Sequence, residues 1–276
     1  MEFLAPAKVN LSLRILRRRD DGFHEIETLM APVAIFDTLD IERRAHGGLE
    51  FVCSDPALPA DGDNLAVRAA RSFCNSLGIE PHLRIELKKK IPHGAGLGGG
   101  SSDAATTLLA LDRLFETQLP RADLSRLAAG IGSDVPFFIW QSAAWCRGCG
   151  EIVEPCVLPR ALPLLLIKQP FPVPTPWAYK QWRDSIEIPG VPYAPQTISG
   201  ITLVNDLERP VFEKFIQLAE MKRWLLGQSE AAGALMSGSG STVFALLRDE
   251  SAGTALAEKV TAQFGDRIWL ALTKTI

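Results

Sequence analysis

Alternating apolar and polar positions over residues 3–15 predict a β-strand, because successive side chains of a strand point to opposite faces. Asp21-Gly22 is a strong hairpin turn, so a second extended segment is expected over residues 23–33 and a third over 38–43. Leu65, Ala69, Phe73 and Leu77 recur every fourth position and predict a helix over residues 64–77. Residues 83–87 alternate again as a strand. The stretch 91–103 carries no period, and its glycines make it a loop by composition. From Asp103 onward, Ala104, Leu108, Leu111 and Phe115 fall on one helical face, so strand, glycine loop and helix follow in order. A short helix near 124–130 leads to Gly132-Ser133-Asp134-Val135-Pro136 and a buried segment at 137–140.

Six prolines over residues 159–176 surround a strand at 162–168 and mark the expected domain junction, dividing the chain into 1–160 and 161–276. The second part is expected to hold helices over 177–183, 211–226 and 252–264. Its strands are expected at 234–237, 242–247 and 268–272, and no internal repeat is visible.

The net charge of −3 provides no basic field, so nucleic acid and anionic membrane are not expected partners. The run Arg17-Arg18-Arg19 abuts Asp20-Asp21-Gly22 and reads as the solvated end of the hairpin, without a function. Five cysteines, with Cys146 and Cys149 as a lone CxxC, suit neither a disulfide framework nor a four-ligand zinc site. Reduced thiols in a cytoplasm are the expectation. No apolar run reaches the length of a membrane span, and the N-terminus carries no export signal.

Pro92-His93-Gly94-Ala95-Gly96-Leu97-Gly98-Gly99-Gly100-Ser101-Ser102 is the segment most charged with chemistry. Residues without side chains let backbone N–H groups turn inward on phosphate oxygens, and the following helix adds its N-terminal partial charge. Ser101 and Ser102 add hydroxyls for a phosphate or a phosphate-bound Mg²⁺, and Asp103 suits the helix cap. The segment is not a GxxxxGK[ST] loop, because no lysine follows Gly100. Lys8, amid Ala5-Pro6-Ala7 and Val9, and Asp134, before Val135-Pro136-Phe137-Phe138, are single charges in apolar surroundings. Periodicity leaves two readings open for them: a snorkelling lysine and a turn cap, or a reactive pair.

Pro6-Ala7-Lys8-Val9-Asn10-Leu11, the segment 92–105 and Met236-Ser237-Gly238-Ser239-Gly240-Ser241 resemble the three motifs of the GHMP kinases, the family of galactokinase, homoserine kinase, mevalonate kinase and phosphomevalonate kinase. Asp21-Gly22-Phe23-His24-Glu25, Asp134-Val135-Pro136-Phe137-Phe138, Arg147-Gly148-Cys149-Gly150-Glu151, Pro174-Thr175-Pro176 and Asn205-Asp206-Leu207-Glu208 resemble one branch of it more narrowly. That resemblance implies a two-domain α+β or α/β fold with the active site in the cleft between the domains. It implies ATP and Mg²⁺, with no metal ligand identified, and a monomer or homodimer. The acceptor it implies is the 2-hydroxyl of a cytidine-diphosphate-linked methylerythritol, in the non-mevalonate route to isoprenoid precursors. Lys8 and Asp134 fall on the family's catalytic pair, and Asn10, Phe23, His24 and Tyr179 on its substrate side.

Phe23 stands where that branch usually has tyrosine, so a ring face remains and a phenol oxygen is lost. Cys149 stands where a small or aliphatic residue is common. Another GHMP kinase, for which Phe23, His24 and Tyr179 would be packing, is the alternative within the family. A noncatalytic nucleotide-binding protein is the alternative outside it, and the presence of both Lys8 and Asp134 argues against that.

Overall fold

The computed structural model describes residues 1–276. Strands β1 (Glu2–Arg18) and β2 (His24–Arg43) form an antiparallel hairpin that pairs Arg18 with His24 across the Asp21-Gly22 turn. Gly22 adopts φ 87°, a conformation open to glycine and costly for other residues. The two extended segments expected at 23–33 and 38–43 are one 20-residue strand. A register shift between Pro6 and Ala7, opposite Phe36 and Val33, leaves Ala34 and Ile35 of β2 outside the pairing, which is where its alternation reads as interrupted.

β3 (Leu49–Cys53) leads to α1 (Leu65–Leu77), whose cap Asn64 accepts a hydrogen bond from the Ala66 N–H at 3.0 Å. β4 (Leu83–Lys88), α2 (Gly99–Leu114), α3 (Arg121–Ala129) and α4 (Val135–Trp140) follow, then the hairpin β5 (Ala144–Gly148) and β6 (Ile152–Pro155). Next come β7 (Pro163–Lys168), α5 (Thr175–Gln181), a 3₁₀ turn at Trp182–Asp184, β8 (Gln196–Ile198) and β9 (Ile201–Asn205). The chain ends with α6 (Glu208–Lys214), α7 (Ile216–Leu226), β10 (Ala231–Met236), β11 (Thr242–Leu247), α8 (Ala252–Phe264) and β12 (Trp269–Lys274). The helical stretch expected over 211–226 is broken at Phe215, where φ −114° and ψ 68° leave the helical region.

The larger sheet runs β3-β4-β2-β1-β9-β8, with β5 joined to β2 and β6 to β5, and the smaller runs β10-β11-β7-β12. β9 and β8 lie beyond the proline-rich stretch in sequence, yet β9 pairs in parallel with β1. On β1 the odd residues Ala5, Ala7, Val9, Leu11, Leu13 and Ile15 are all buried in apolar cores. Ala7, Val9 and Leu11 pack in the same cluster as Leu162, Leu164, Leu166, Leu235 and Phe244, which joins the two sheets. The even residues Lys8, Asn10 and Ser12 therefore share the opposite face of the strand, a buried polar row in an otherwise apolar segment.

Candidate active site

Asn10 receives the Lys8 ammonium on Oδ1 at 2.6 Å and donates through Nδ2 to Thr28 Oγ1 at 2.8 Å. Thr28 in turn donates to the Ser12 carbonyl at 2.6 Å, so the row is oriented across the β1–β2 pair. Lys8 is 4% exposed, and its ionic partner is Asp134, with Oδ2 at 3.4 Å. Asp134 precedes α4 without a side-chain capping bond, so its carboxylate is left for Lys8 and for the cavity beside it.

That cavity holds about 1340 Å³ and takes its walls from both halves of the chain. Lys8, Asn10, Asp134, Phe23, His24 and Tyr179 line it, as do Pro92, His93, Gly94, Ala95, Gly96, Leu97, Gly98, Gly99, Gly100 and Ser101. Ser102 is the exception: it is fully buried, does not line the cavity, and its hydroxyl has no hydrogen-bond partner.

The glycine segment enters α2 earlier than its composition implies. Gly98, at φ 70°, is the cap, and Gly99 and Gly100 make the first turn. A Cβ on Gly98 would lie 2.9 Å from both Lys8 Cγ and Phe138 Cζ, so the absence of a side chain is what lets the loop lie against the lysine. The Lys8 N–H also donates to the Leu97 carbonyl at 2.9 Å, fixing loop to strand. Asp103, expected as the cap, instead lies in the second turn and accepts from Lys89 Nζ at 2.7 Å.

Lys89 also bonds Asp37, whose other oxygen accepts from the Lys90 and Ile91 N–H groups at 2.5 and 2.8 Å. Two buried carboxylates thus share one ammonium behind the loop. Burial pushes the Asp103 carboxyl up to about 7; Lys89 opposes the rise and Asp37 adds to it. Asp103 Oδ1, buried and without a partner, is the atom with room for the proton.

At the other end of the cavity the His24 ring sits 5.4 Å from Tyr179 at 32°, and 6.0 Å from Trp182 edge-on. Phe23 stands 60% exposed at the mouth. Burial and the neighbouring Arg18 hold the His24 imidazole below its ordinary range, so at neutral pH it carries one donor and one acceptor. Burial, with Asp134 adding, raises the Tyr179 phenol, which stays protonated.

Several lining residues escape the sequence reading. Trp182 lies three positions beyond Tyr179, a spacing that puts both on one helical face and was available as a signal. Arg17 and Arg18, read as a solvated hairpin end, line the cavity with Lys180 and Arg183. Leu58, Pro59 and Asn64 line it from before α1 and Leu65 from the first position of that helix, where nothing in their pattern marks a site. No group of three or more His, Cys, Asp or Glu side chains is gathered for a metal, and no helix is long and apolar enough to cross a membrane.

Comparison with known proteins bears on the same segments. Residues 64–142 match the model of the GHMP kinases N terminal domain and residues 198–266 that of the GHMP kinases C terminal domain. A 4-diphosphocytidyl-2-C-methyl-D-erythritol kinase of Methylacidiphilum infernorum is 43% identical over 97% of this chain and 94% of its own. One of Syntrophotalea carbinolica is 37% identical over 96% of each. A crystal structure of 4-(cytidine 5'-diphospho)-2C-methyl-D-erythritol kinase superposes with TM-score 0.81 at 38% identity, covering all of both chains. A homoserine kinase from Cytophaga hutchinsonii gives TM-score 0.65 at 20% identity over 99% of this chain and 94% of its own, a likeness of fold.

Proposed function

Because the chain belongs to the GHMP kinase family, we propose that it transfers the γ-phosphoryl group of ATP to the 2-hydroxyl of 4-diphosphocytidyl-2-C-methyl-D-erythritol, in the non-mevalonate route to isoprenoid precursors. The observation that carries this reading is one cavity with three kinds of wall. A glycine loop ending on a helix suits phosphates, a buried lysine beside a carboxylate suits a reacting hydroxyl, and a neutral imidazole among aromatic rings suits a base.

Phosphoryl transfer rests on positioning and charge stabilisation, since the transferred group is loosely bonded and its charge is spread over three oxygens. In this reading the backbone N–H groups of residues 94–101 and the α2 terminus take the phosphates. Lys8 faces the developing charge. An aspartate is too weak a base to hold a free alkoxide, so Asp134 orients the hydroxyl and accepts its proton late. Asn10 keeps the ammonium aimed.

Mg²⁺ fits the Ser101 hydroxyl, a hard oxygen donor that lines the cavity at the start of α2, the class this ion takes beside nucleotide phosphates. Ser101 would hold it together with the phosphates, and when bound it neutralises charge across the phosphate oxygens. The junction proposed at residue 160 separates the loop and catalytic pair from α5, which bears Tyr179, so the nucleotide and the base meet across it.

Cytosine lies against Phe23 and Tyr179 in this reading, with His24 at its edge. Tyr179→Ala should raise the KM for the cytidyl substrate about tenfold, the scale of one lost stacking contact, with KM for ATP unchanged. The test is ADP release with ATP and the cytidyl substrate, beside mevalonate, homoserine and galactose. Turnover of one of those three in place of the cytidyl compound would sink the substrate assignment, and equal weakening of both substrates by Tyr179→Ala would sink the clamp.

A further inference from the structure

Asn205-Asp206-Leu207-Glu208 takes no part in the reaction above, yet each of its polar side chains is committed to a bond. Asn205 ends β9 in register with Leu13 of β1, and the Asp206 N–H donates to the Leu13 carbonyl at 2.9 Å. Asp206 accepts from the Ile15 N–H at 2.8 Å and from Arg14 at 3.0 Å. These contacts tie the segment to the strand that carries Lys8 and Asn10.

The other side of the segment holds the glycine-serine turn that follows β10. Asn205, 4% exposed, donates through Nδ2 to the carbonyls of Met236 and Gly238, both at 2.7 Å, and its Oδ1 accepts from the Leu207 N–H at 2.9 Å. Glu208 accepts the Met236 N–H at 3.0 Å and is itself paired with the buried Lys222 at 2.5 Å. Gly238 and Gly240 both have positive φ, so the turn has little conformational preference of its own and depends on such anchors.

What the turn touches gives the anchoring its consequence. A Cβ on Gly238 would stand 3.3 Å from Asn10 Oδ1 and 3.6 Å from Lys8 Nζ, so the Gly238 backbone is the wall against which the ammonium rests. Ser237 Oγ accepts from the Asn10 N–H at 3.2 Å and donates to the Gly96 carbonyl at 2.9 Å, joining the phosphate loop to the same turn. We infer that residues 205–208 clip the catalytic strand to this turn, and that Asn205 is a positioning residue that sets the place of the Lys8 ammonium. The inference rests on the reading of Lys8 as catalytic. Only an amide serves at Asn205: two carbonyl oxygens need two N–H donors, and a carboxylate there would repel both.

The test pairs Asn205→Ala with Leu256→Ala, a control in α8 whose side chain is buried in the second core and does not line the cavity. Both should melt at lower temperature. At 25 °C, with both folded, Asn205→Ala should lose kcat about tenfold or more, the scale of a displaced catalytic group, while Leu256→Ala stays within about twofold of wild type. Amide exchange over residues 236–241, measured with no substrate present, should speed up about tenfold in Asn205→Ala alone. That second readout holds whichever alcohol is the acceptor, so faster exchange in an enzyme inert toward the cytidyl compound would fault the substrate and spare the clip. If Asn205→Ala does not fold, Asn205→Ser, which keeps one donor, is read in the same way. Wild-type kcat and wild-type exchange in a folded Asn205 variant, or an equal kcat loss in the control, would overturn the inference.

Discussion

Asp134→Asn should separate turnover from stability, because Lys8 keeps a partner when the carboxylate is gone. The ammonium is 3.4 Å from Asp134 and 2.6 Å from Asn10 Oδ1, and the second contact survives the change. Unit charges at that separation attract by about 5 kcal/mol at an effective dielectric of 20 and by about 1 kcal/mol in water. With the Lys8 side chain 5% and the Asp134 side chain 38% exposed, the loss lies between those limits, and the surviving bond to Asn10 should hold the fall in melting temperature below about ten degrees. Turnover should fall about a hundredfold, or about 2.7 kcal/mol, through the lost acceptor for the hydroxyl proton. Lys8→Met is expected to cost about as much in turnover. It should cost more in stability, because Asn10 Oδ1 then lies buried without its donor, at about 1–3 kcal/mol. If the two act as one unit, the double variant should turn over about as slowly as the slower single one, not ten thousandfold below wild type, which is a coupling of about 2.7 kcal/mol. The assay is kcat at saturating ATP and acceptor, with the nucleotide dissociation constant measured separately for each variant. Strict multiplication of the two losses, or an Asp134→Asn enzyme within about threefold of wild type, would refute the coupled pair.

Two further expectations concern the loop. Gly96→Ala should abolish nucleotide binding or folding, since its Cβ would lie 2.2 Å from the Ser237 carbonyl oxygen at a φ of 75°. Gly100→Ala meets only Leu65 at 3.6 Å and should fold normally, so thermal melts and nucleotide titrations that rank the two alike would contradict the packing. Asp103→Asn should become more stable relative to wild type as pH rises. The folded carboxyl sits at about 7, above its unfolded value of 3.8, so the unfolded chain releases its proton first and the wild type loses stability between those limits. The difference in unfolding free energy should grow by about 1.4 kcal/mol per pH unit from pH 4 and level off above 7, and a flat difference in denaturant titrations would count against the buried proton.

The sequence by itself determined what depends on near neighbours. The turn at Asp21-Gly22 is a local backbone matter, as are the periods of α1 and α8 and the density of glycine before α2. The two faces of β1 follow from alternation alone, and with them the oddity of a lysine in that row. The tertiary structure decided what depends on distant segments. Composition makes residues 99–102 a loop, but the helix starts from Gly98, packed where Lys8 and Phe138 leave no room for a side chain, and Asp103 in its second turn goes to Lys89. β9 joins β1 across nearly two hundred residues, and β8 is three residues long, too short to show any period. Ser101 and Ser102 are indistinguishable as letters, yet one faces the cavity and the other is sealed inside, because a helix turns about 100° per residue and its starting point sets which side chain points where. Arg18 belongs to the wall for the same kind of reason: folding brings the hairpin end against the 3₁₀ turn that bears Trp182, an approach recorded in long-range packing and in no local pattern around the arginine.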